Sequence, residues 1–281
     1  MSIFPIIIII ALFISLILNY MSFYSKKNAI QFVKDMGLGY NIGNTFNCCN
    51  IFKEENNEEI KLWGTILPTQ RIVNKIKKYG FKTLRFQVIY NNLIYESETI
   101  KNKWISGIKK VIDFINNANM YCILSKYYNE DFWKNQTINP KDKYINFWKE
   151  IANEFKNYDE YLIFESMNNS YSGNITSLDI NQTFIDSLRN TGGINENRLL
   201  VIHELITELD LSVSYEYEMP KDPSNKTAIS LHYYFPSEFY ENFELIPYIF
   251  VINMETNIGL ILLLSGVQTM IMKNYIIHLI F

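Results

Sequence analysis

The sequence has few cysteines, few histidines and no excess of positive charge. It contains three Cys and three His among 281 residues, and its formal net charge is -3. No Cys-x-x-Cys pair or Cys/His spacing typical of zinc is present. Acidic and basic residues are interspersed, so no patch for nucleic acid or an anionic membrane is predicted. A metal site, a nucleic-acid partner and an obligate protein partner are therefore not expected.

The few cysteines leave two alternatives open. Cys48 and Cys49 are adjacent and cannot easily pair with each other. Either all three cysteines are buried or free thiols, or Cys122 forms one disulfide with one of the two neighbours.

An apolar run with no charge inside it lies near the amino terminus. It spans Ile3 to Leu18, IFPIIIIIALFISLIL. This length suits the core of a signal peptide or a short anchor. Residues 1–24 are therefore interpreted as a signal peptide, which predicts a secreted, extracellular protein, with a membrane anchor as the alternative.

Five Asn-x-Ser/Thr sequons agree with a lumenal route, although an Asn-rich chain produces some by chance. They begin at Asn135, Asn168, Asn174, Asn181 and Asn225.

The body of the chain alternates short apolar runs with longer amphipathic segments, which is typical of βα units. The predicted strands are Gly37 to Asn41, Thr83 to Ile89, Tyr121 to Ser125, Tyr161 to Met167, Arg198 to Ile202 and Ala228 to Tyr233. The predicted helices are Pro68 to Tyr79, Lys103 to Asn117, Tyr144 to Asn157 and Ile180 to Asn190. Six strands with helices between them indicate an α/β parallel sheet or barrel, in which chemistry gathers at the carboxyl ends of the strands.

Polar and aromatic residues occur at those strand ends. Each has a structural alternative, such as capping a turn or pairing with a buried carboxylate, but together they predict a binding rim. The candidates are Asn41, Asn44, Arg85, Tyr127, Tyr128, Asn168, His232 and Tyr234.

These segments resemble glycoside hydrolase family 5, the cellulase type that cleaves β-1,4-glucans with retention. MGLGYNIGNTF is similar to the family's Gly-Trp-Asn-Leu-Gly-Asn-Thr opening, and YGFKTLRFQV to its Gly-Phe-x-Thr-Val-Arg-Ile-Pro-Val strand. WISGIKKVIDFINNANMYCIL, FWKEIANEFKNYDEYLIFESMN, INQTFIDSLRNTGGINENRLLVI and SLHYYFPSEF continue the match. The resemblance runs from about Met36 to Phe239 and implies a (β/α)8 TIM barrel, no cofactor, and a glucan-binding cleft across the strand ends.

The resemblance also assigns roles to the rim residues. It implies that Arg85, Asn168, His232 and Tyr234 orient the nucleophile and bind around the cleaved bond, and it makes Asn41 part of the substrate site. Tyr127 and Tyr128 stand where the family usually has two histidines, and they retain an aromatic surface for a sugar.

The acid/base residue of the family is missing. Retaining cleavage needs two carboxyl groups roughly 5 Å apart, one of which protonates the departing oxygen. Asn168, Asn169 and Ser170 occupy the family's Asn-Glu-Pro, so Asn169 stands in the acid/base position. An amide cannot exchange a proton near neutral pH. Glu165 shares a strand face with Asn169 by period-two alternation, but four residues along a strand is about 13 Å, so Glu165 is interpreted as an interior residue.

The nucleophile is also not found. After Phe239 the tail is apolar, and Glu255 fits the family's Ile-Gly-Glu poorly. When LSGVQTMIMK (Leu264 to Lys273) is encoded with A- and T-leaning codons and read from the third nucleotide, it gives Phe-Trp-Gly-Ser-Asp-Asn-Asp-Tyr-Glu-Lys, which resembles the family's Trp-Gly-Ser segment. The hypothesis is that residues 241–281 are an aberrant tail read out of frame. A carboxyl-terminal membrane segment is the rival reading, although it would place Glu255 in lipid.

The predicted organisation is therefore a leader (1–24), a barrel truncated after strand six (25–240) and a tail (241–281). Such a barrel should have two open edges. The predicted function is that of a family 5-like protein of β-1,4-glucan breakdown, impaired in catalysis and binding a polysaccharide or oligosaccharide. The alternatives are a sugar-binding relative, a non-functional product and a membrane-anchored structural protein.

Overall fold

The computed structural model describes residues 9–10, 12–15, 27–46, 68–88, 98–127, 140–168, 176–203, 219–233, 248–252, 259–264, 270–272 and 275–277. Six strands succeed one another with helices between them. They are β1 (Gly39–Phe46), β2 (Thr83–Val88), β3 (Tyr121–Tyr127), β4 (Leu162–Asn168), β5 (Leu200–His203) and β6 (Thr227–Tyr233). All six predicted strands are present, with ends that differ by up to five residues.

Five helices accompany these strands. They are α1 (Ala29–Met36), α2 (Gln70–Lys78), α3 (Glu98–Asn117), α4 (Pro140–Glu154) and α5 (Ser177–Arg189). Four of them were predicted. Pro68 precedes α2 rather than lying in its first turn, because the Thr69 side chain caps the helix by accepting a hydrogen bond from Ile72 N. Gly80 follows the helix with φ 95°, a conformation that suits glycine.

Strands β1 to β6 are hydrogen-bonded in parallel and in chain order, as a (β/α)8 barrel requires. The regular parallel succession ends after β6, which confirms the predicted fold class. Two strands of the tail then follow, β7 (Tyr248–Ile252) and β8 (Gly259–Leu264). They form an antiparallel hairpin instead of another βα unit.

The hairpin closes the ring, and the expectation of two open edges is therefore wrong. β8 pairs in parallel with β6, and β7 pairs antiparallel with β1. The physical reason is that an edge strand exposes unpaired N–H and C=O groups, for which an apolar, β-prone segment is a ready partner. The sequences YIFVI and GLILLL are such segments. Two further strands, β9 (Met270–Met272) and β10 (Tyr275–Ile277), form a separate antiparallel pair.

Helix α1 was not predicted, and it lies against one end of the barrel interior. Its Ala29, Phe32, Val33 and Met36 are buried in one cluster with interior strand residues such as Ile123, Ile163 and Val201. A capping box starts the helix, in which the Asn28 side chain accepts from Gln31 N and the Gln31 side chain accepts from Asn28 N.

The main core lies between the sheet and the outer helices. Trp148 of α4 is fully buried, with its ring centroid 4.7 Å from that of Phe184 on α5 and 5.8 Å from that of Phe164 on β4. These contacts fix α4 and α5 against the strand that carries the candidate acid/base position at its end. Because buried aromatic side chains contribute a few kcal/mol each, this packing helps to position β4 against the two helices.

Cys122 is a free thiol on β3 and fully buried, so burial raises its pKa well above the usual range. Its two potential partners, Cys48 and Cys49, lie outside the described residues. Within the amino-terminal run, residues 12–15 are helical and exposed. In the part of the chain that the structure describes, no helix combines the length and the apolar character needed to cross a membrane.

Candidate functional site

The strand register aligns two pairs of rim candidates, and the first pair lies deeper in the barrel, because Arg85 is also in register with Ile123, four residues before Tyr127. Asn41 of β1 is in register with Arg85 of β2, and Tyr127 of β3 is in register with Asn168 of β4. His232 lies near the end of β6. The side chains of Asn44, Tyr127, Asn168 and His232, and the whole of Tyr128, Asn169 and Tyr234, lie outside the described residues.

An ion pair lies inside the barrel below this rim. Arg85 Nε donates to Glu165 Oε2 at 2.5 Å, and Arg85 Nη2 donates to Ser125 Oγ at 3.1 Å. Both charged side chains are almost fully buried, with 5% and 1% of their surface exposed. Glu165 is thus an interior residue bonded within the core, as predicted. Arg85, predicted to bind substrate, has the structural carboxylate that the sequence had left open as an alternative.

Glu165 also has one carboxylate oxygen without a partner. Oε1 is buried and accepts no hydrogen bond from any residue that the structure describes. A desolvated carboxylate oxygen normally accepts hydrogen bonds, so the charge of Arg85 is the main compensation for burying Glu165. The guanidinium of Arg85, which projects from β2, is consequently held by its hydrogen bonds to Ser125 on β3 and Glu165 on β4.

His203 is a further interior residue that the sequence analysis did not select. It ends β5, is 3% exposed and is in register with Ser230 of β6. Burial lowers the pKa of His203 to about 4, with smaller effects from the charges of Glu165 and Arg85. The imidazole is therefore neutral at pH 7. The strand-end argument that selected Asn168 and His232 applies equally to His203, so its position in LVIH was a usable signal.

The end of β4 is supported from behind by polar side chains of two helices. Tyr144 of α4 and Ser166 of β4 share a hydrogen bond of 2.8 Å, and Ser166 Oγ donates to Asn181 Oδ1 at 3.2 Å. Asn181 Nδ2 in turn donates to the carbonyl of His203 at 3.0 Å. All four residues are buried. This network ties the ends of β4 and β5 to α4 and α5.

The register of β4 is irregular next to that network. Ser125 pairs with Glu165, but Tyr127, two residues later, pairs with Asn168, three residues later. The extra residue is typical of a β-bulge, which changes the face that the following side chains present. The register shift interrupts the alternation between Glu165 and Asn168 and brings Asn168 into register with the rim residue Tyr127. The strand face of Asn169, which lies outside the described residues, stays a prediction.

The strand next to β6 occupies the seventh position of the ring, where the family resemblance expects the nucleophile. This strand, β8, has the sequence GLILLL and carries no acidic residue. Glu255 precedes it, outside the described residues. Ile252 and Gly259, which flank that segment, lie toward the amino ends of the parallel strands, because Gly259 pairs with Ala228 near the start of β6 and Ile252 pairs with Leu260.

Metal-binding side chains are not gathered anywhere in the described ranges. No group of three or more His, Cys, Asp and Glu residues suited to holding a metal ion occurs among them. The described site consists of a buried ion pair, a neutral histidine and hydroxyl groups.

A family model described as Cellulase (glycosyl hydrolase family 5) matches residues 41–260. The match passes Phe239 and includes Glu255, so the expected end of the resemblance near Phe239 is corrected. Among curated proteins, the chain is 32% identical to Endoglucanase A of Paenibacillus barcinonensis, over 75% of this chain and 59% of that protein. It is 29% identical to Endoglucanase B of Neocallimastix patriciarum, over 74% of this chain and 48% of that protein.

Solved structures of glycoside hydrolase family 5 enzymes are also similar to this chain. A broad specificity endoglucanase from an uncultured bovine rumen ciliate is 39% identical, with a TM-score of 0.66 over 87% of this chain and 70% of that chain. A family 5 xyloglucanase from Paenibacillus pabuli is 31% identical, with a TM-score of 0.61 over 74% of this chain and 66% of that chain. The chain thus spans about half to three fifths of the curated relatives named above.

Proposed function

Because the chain belongs to glycosyl hydrolase family 5, we propose that it is a relative of the retaining β-1,4-glucanases that keeps the glucan site in part and is impaired in hydrolysis. The observation that carries this proposal is the replacement of the acid/base glutamate by Asn169. The buried Arg85–Glu165 ion pair below the rim supports the proposal that the interior of the site keeps charged side chains in fixed positions.

The chemistry of retention makes Asn169 decisive. One carboxyl group attacks the anomeric carbon while the other protonates the leaving oxygen, and the second then activates water to release the sugar. The amide of Asn169 has no proton to give and recover near neutral pH. Proton transfer by a positioned carboxyl group contributes on the order of 100-fold to 10,000-fold in rate.

The second carboxyl group is also lacking at its expected position. The strand next to β6 is GLILLL, and Ser265, Gly266 and Val267 follow it, so no carboxylate stands at that strand or directly after it. Glu255 falls in a segment flanked by residues at the other end of the barrel. We therefore infer that no nucleophile is supplied, and we propose that residues 241–281 are an aberrant, out-of-frame tail. The apolar composition of the tail and the alternative reading of Leu264 to Lys273 support this proposal, and the family match up to residue 260 counts against it.

The substrate class follows from relatives and from the rim. A broad specificity endoglucanase from Ruminococcus champanellensis, 26% identical with a TM-score of 0.60, was solved with bound cellotriose. In this chain, Tyr127 and Tyr128 would offer aromatic faces for such a sugar, and Asn41, Asn168, His232 and Tyr234 would supply hydrogen bonds. We propose a β-1,4-glucan chain or oligosaccharide as the ligand, and secretion of the protein through its apolar leader at residues 1–24, with anchoring by that segment as the alternative.

Covalent labelling tests the proposal. A fluorosugar aryl glycoside with an acidic leaving group reacts with a retaining nucleophile without needing the acid/base residue, and the glycosyl-enzyme persists because the fluorine slows its hydrolysis. Intact-mass spectrometry of the purified full chain should show no adduct, whereas an active family 5 endoglucanase treated in parallel should be labelled. An adduct that maps to Glu255 and is absent in Glu255→Gln would overturn the assignment of a missing nucleophile.

Binding separates an impaired enzyme or sugar-binding relative from a non-functional product. In affinity electrophoresis, soluble β-1,4-glucan should retard the full chain, and Tyr127→Ala should reduce the retardation. Tyr79→Ala is the matched control, because Tyr79 is 69% exposed and ends α2 away from the rim. Equal mobility of the native chain with and without glucan would favour the non-functional product.

A further inference from the structure

Two of the five sequons lie where the structure describes their acceptor side chains, and their environments are opposite. Asn181 is fully buried in α5, and Asn225 is exposed in the turn before β6. An N-linked oligosaccharide is bulky and hydrophilic, so it requires an acceptor that faces solvent in the folded protein. The sequence motif alone does not distinguish the two sites.

Asn181 has no free amide group to offer. Its Nδ2 donates to the carbonyl of His203, and its Oδ1 accepts from Ser166 Oγ. A sugar on Nδ2 would have to fit in the packed space between α5 and the ends of β4 and β5. It would also disturb the network that supports the end of β4, so a chain glycosylated at Asn181 is incompatible with this fold.

Asn225 occupies a turn whose shape does not depend on its own side chain. Asp222 builds the turn by accepting from Lys226 N at 2.9 Å and from Thr227 Oγ1 at 2.9 Å. Arg189 holds Asp222 from the other side through Nε and Nη2, each at 2.9 Å. The side chain of Asn225 makes no hydrogen bond to any described residue and is open to solvent.

The backbone of Asn225 has φ 50°, in the left-handed region that Asn tolerates better than most residues. The turn precedes Thr227, the first residue of β6, and therefore lies at the amino end of the parallel strands. The candidate glucan site lies at the opposite, carboxyl end. A sugar chain on Asn225 would leave that site unobstructed.

We propose that Asn225 is an N-glycosylation acceptor of this protein and that Asn181, despite its sequon, is not occupied in the folded chain. The reaction needs a lipid-linked oligosaccharide pyrophosphate as donor. The bond from Nδ2 of Asn225 to C1 of the first sugar forms, the bond from C1 to the pyrophosphate oxygen breaks, and Nδ2 loses one proton. The proposal rests on the secretory route inferred from the leader and not on glucan hydrolysis.

The experiment is translocation of the full chain into microsomes, with a carboxyl-terminal tag that carries an established acceptor sequon. The folded monomer is isolated and treated with an amidase that converts each glycosylated Asn into Asp. Cleavage before Asp residues isolates residues 179–185, which contain Asn181 as their sole acceptor, and cleavage after Lys isolates residues 222–226 with Asn225. We expect conversion at Asn225 and at the tag, with Asn181 unchanged.

The matched variant is Asn225→Asp, which removes the acceptor while keeping a residue that tolerates the left-handed conformation. On a gel it should lose one glycan relative to the parent chain, and Thr227→Ser should retain that glycan. A glycosylated tag with unmodified Asn225, or occupancy of Asn181 in the folded monomer, would overturn the assignment. An unmodified tag would overturn the assignment together with the inferred secretory route, but it would not change the expected results of the fluorosugar and affinity-electrophoresis tests.

Discussion

Arg85 Nε and Glu165 Oε2 form a 2.5 Å ion pair in the barrel interior, and Glu165 Oε1 has no hydrogen-bond partner among the described residues. The charge of Glu165 is thus compensated mainly by Arg85, which also donates to Ser125 Oγ. The pair links β2 to β4 across the intervening strand β3 and holds the arginine below the rim.

Removing one member of this pair should destabilise the protein strongly. We expect Glu165→Gln and Arg85→Met each to lower the free energy of unfolding by about 3–5 kcal/mol, because each leaves a buried charge uncompensated. Arg85→Met combined with Glu165→Gln should lose much less than the sum of the two single losses, as measured by urea unfolding.

The matched control for that experiment is the exposed pair of Lys109 and Glu154, whose side chains are 41% and 35% exposed. Glu154→Gln should change the free energy of unfolding by less than about 1 kcal/mol. Equal costs at the buried and exposed pairs, or strict additivity of the two interior substitutions, would contradict the assigned coupling.

His203 should make stability depend on pH. Its pKa is lowered from 6.5 to about 4 in the folded state, so between those values the unfolded chain binds more protons. Stability should be highest above pH 6.5 and should fall by about 3 kcal/mol as the pH drops to 4. His203→Gln should remove this slope in urea titrations at each pH, and an unchanged slope would show that another group titrates.

The tail hairpin should be needed for a soluble barrel. A chain ending at residue 239 lacks β7 and β8, so the edges of β1 and β6 lose their partners. We expect it to aggregate on size-exclusion chromatography while the full chain gives a monomer peak, because unpaired edges template association.

Proline substitutions provide a matched comparison for the hairpin. Leu262 pairs with both Leu231 of β6 and Phe250 of β7, so Leu262→Pro should impair the monomer. Ile276→Pro, in the separate β9–β10 pair, should have little effect. Equal behaviour of the two variants, or a monomeric chain after truncation, would contradict the role of the hairpin.

Local sequence pattern was sufficient for the six parallel strands and four of the helices, because each buries an apolar face with a regular period. It was not sufficient for the pairing of β7 with β1, since the recruitment of an edge strand depends on contacts about 200 residues apart in the chain. Helix α1 carried a readable capping box at Asn28 and Gln31, but it has only eight residues and a short amphipathic pattern.

The candidate site was likewise predictable in part. Glu165 was placed in the interior correctly, because four strand residues separate it from position 169. The substrate-binding role of Arg85 stays a prediction, and the structure gives Arg85 the buried carboxylate partner that was its structural alternative. The predicted alternation of side chains between the two faces of β4 does not hold from Glu165 to Asn168. The sequence could not reveal this, because a register irregularity leaves no signal in a seven-residue strand. His203 was overlooked although it ends a predicted strand. The assignments of Asn169, Tyr128 and Tyr234 stay predictions, since these residues lie outside the described ranges.

Restoring the reading frame after Phe239 should complete the nucleophile but not the acid. We expect the restored sequence to contain Ile-Gly-Glu or a close variant on its seventh strand, and the protein to form a glycosyl-enzyme from an activated aryl glycoside. It should remain poor on cellulose, whose sugar leaving group requires a proton. Asn169→Glu in that background should recover cellulose hydrolysis. A restored frame without that glutamate, or no recovery in a folded Asn169→Glu protein, would refute the role assigned to position 169.

The central claim is that the barrel lacks a working pair of carboxyl groups, because Asn169 replaces the acid/base residue and the strand GLILLL carries no nucleophile. The most direct test of this claim is the turnover of soluble β-1,4-glucan by the purified full chain. Reducing-sugar release should not exceed that of a vector-only preparation carried through the same purification. Release above that control, which disappears in Arg85→Ala purified in parallel, would show that this chain hydrolyses glucan and would contradict the loss of catalysis.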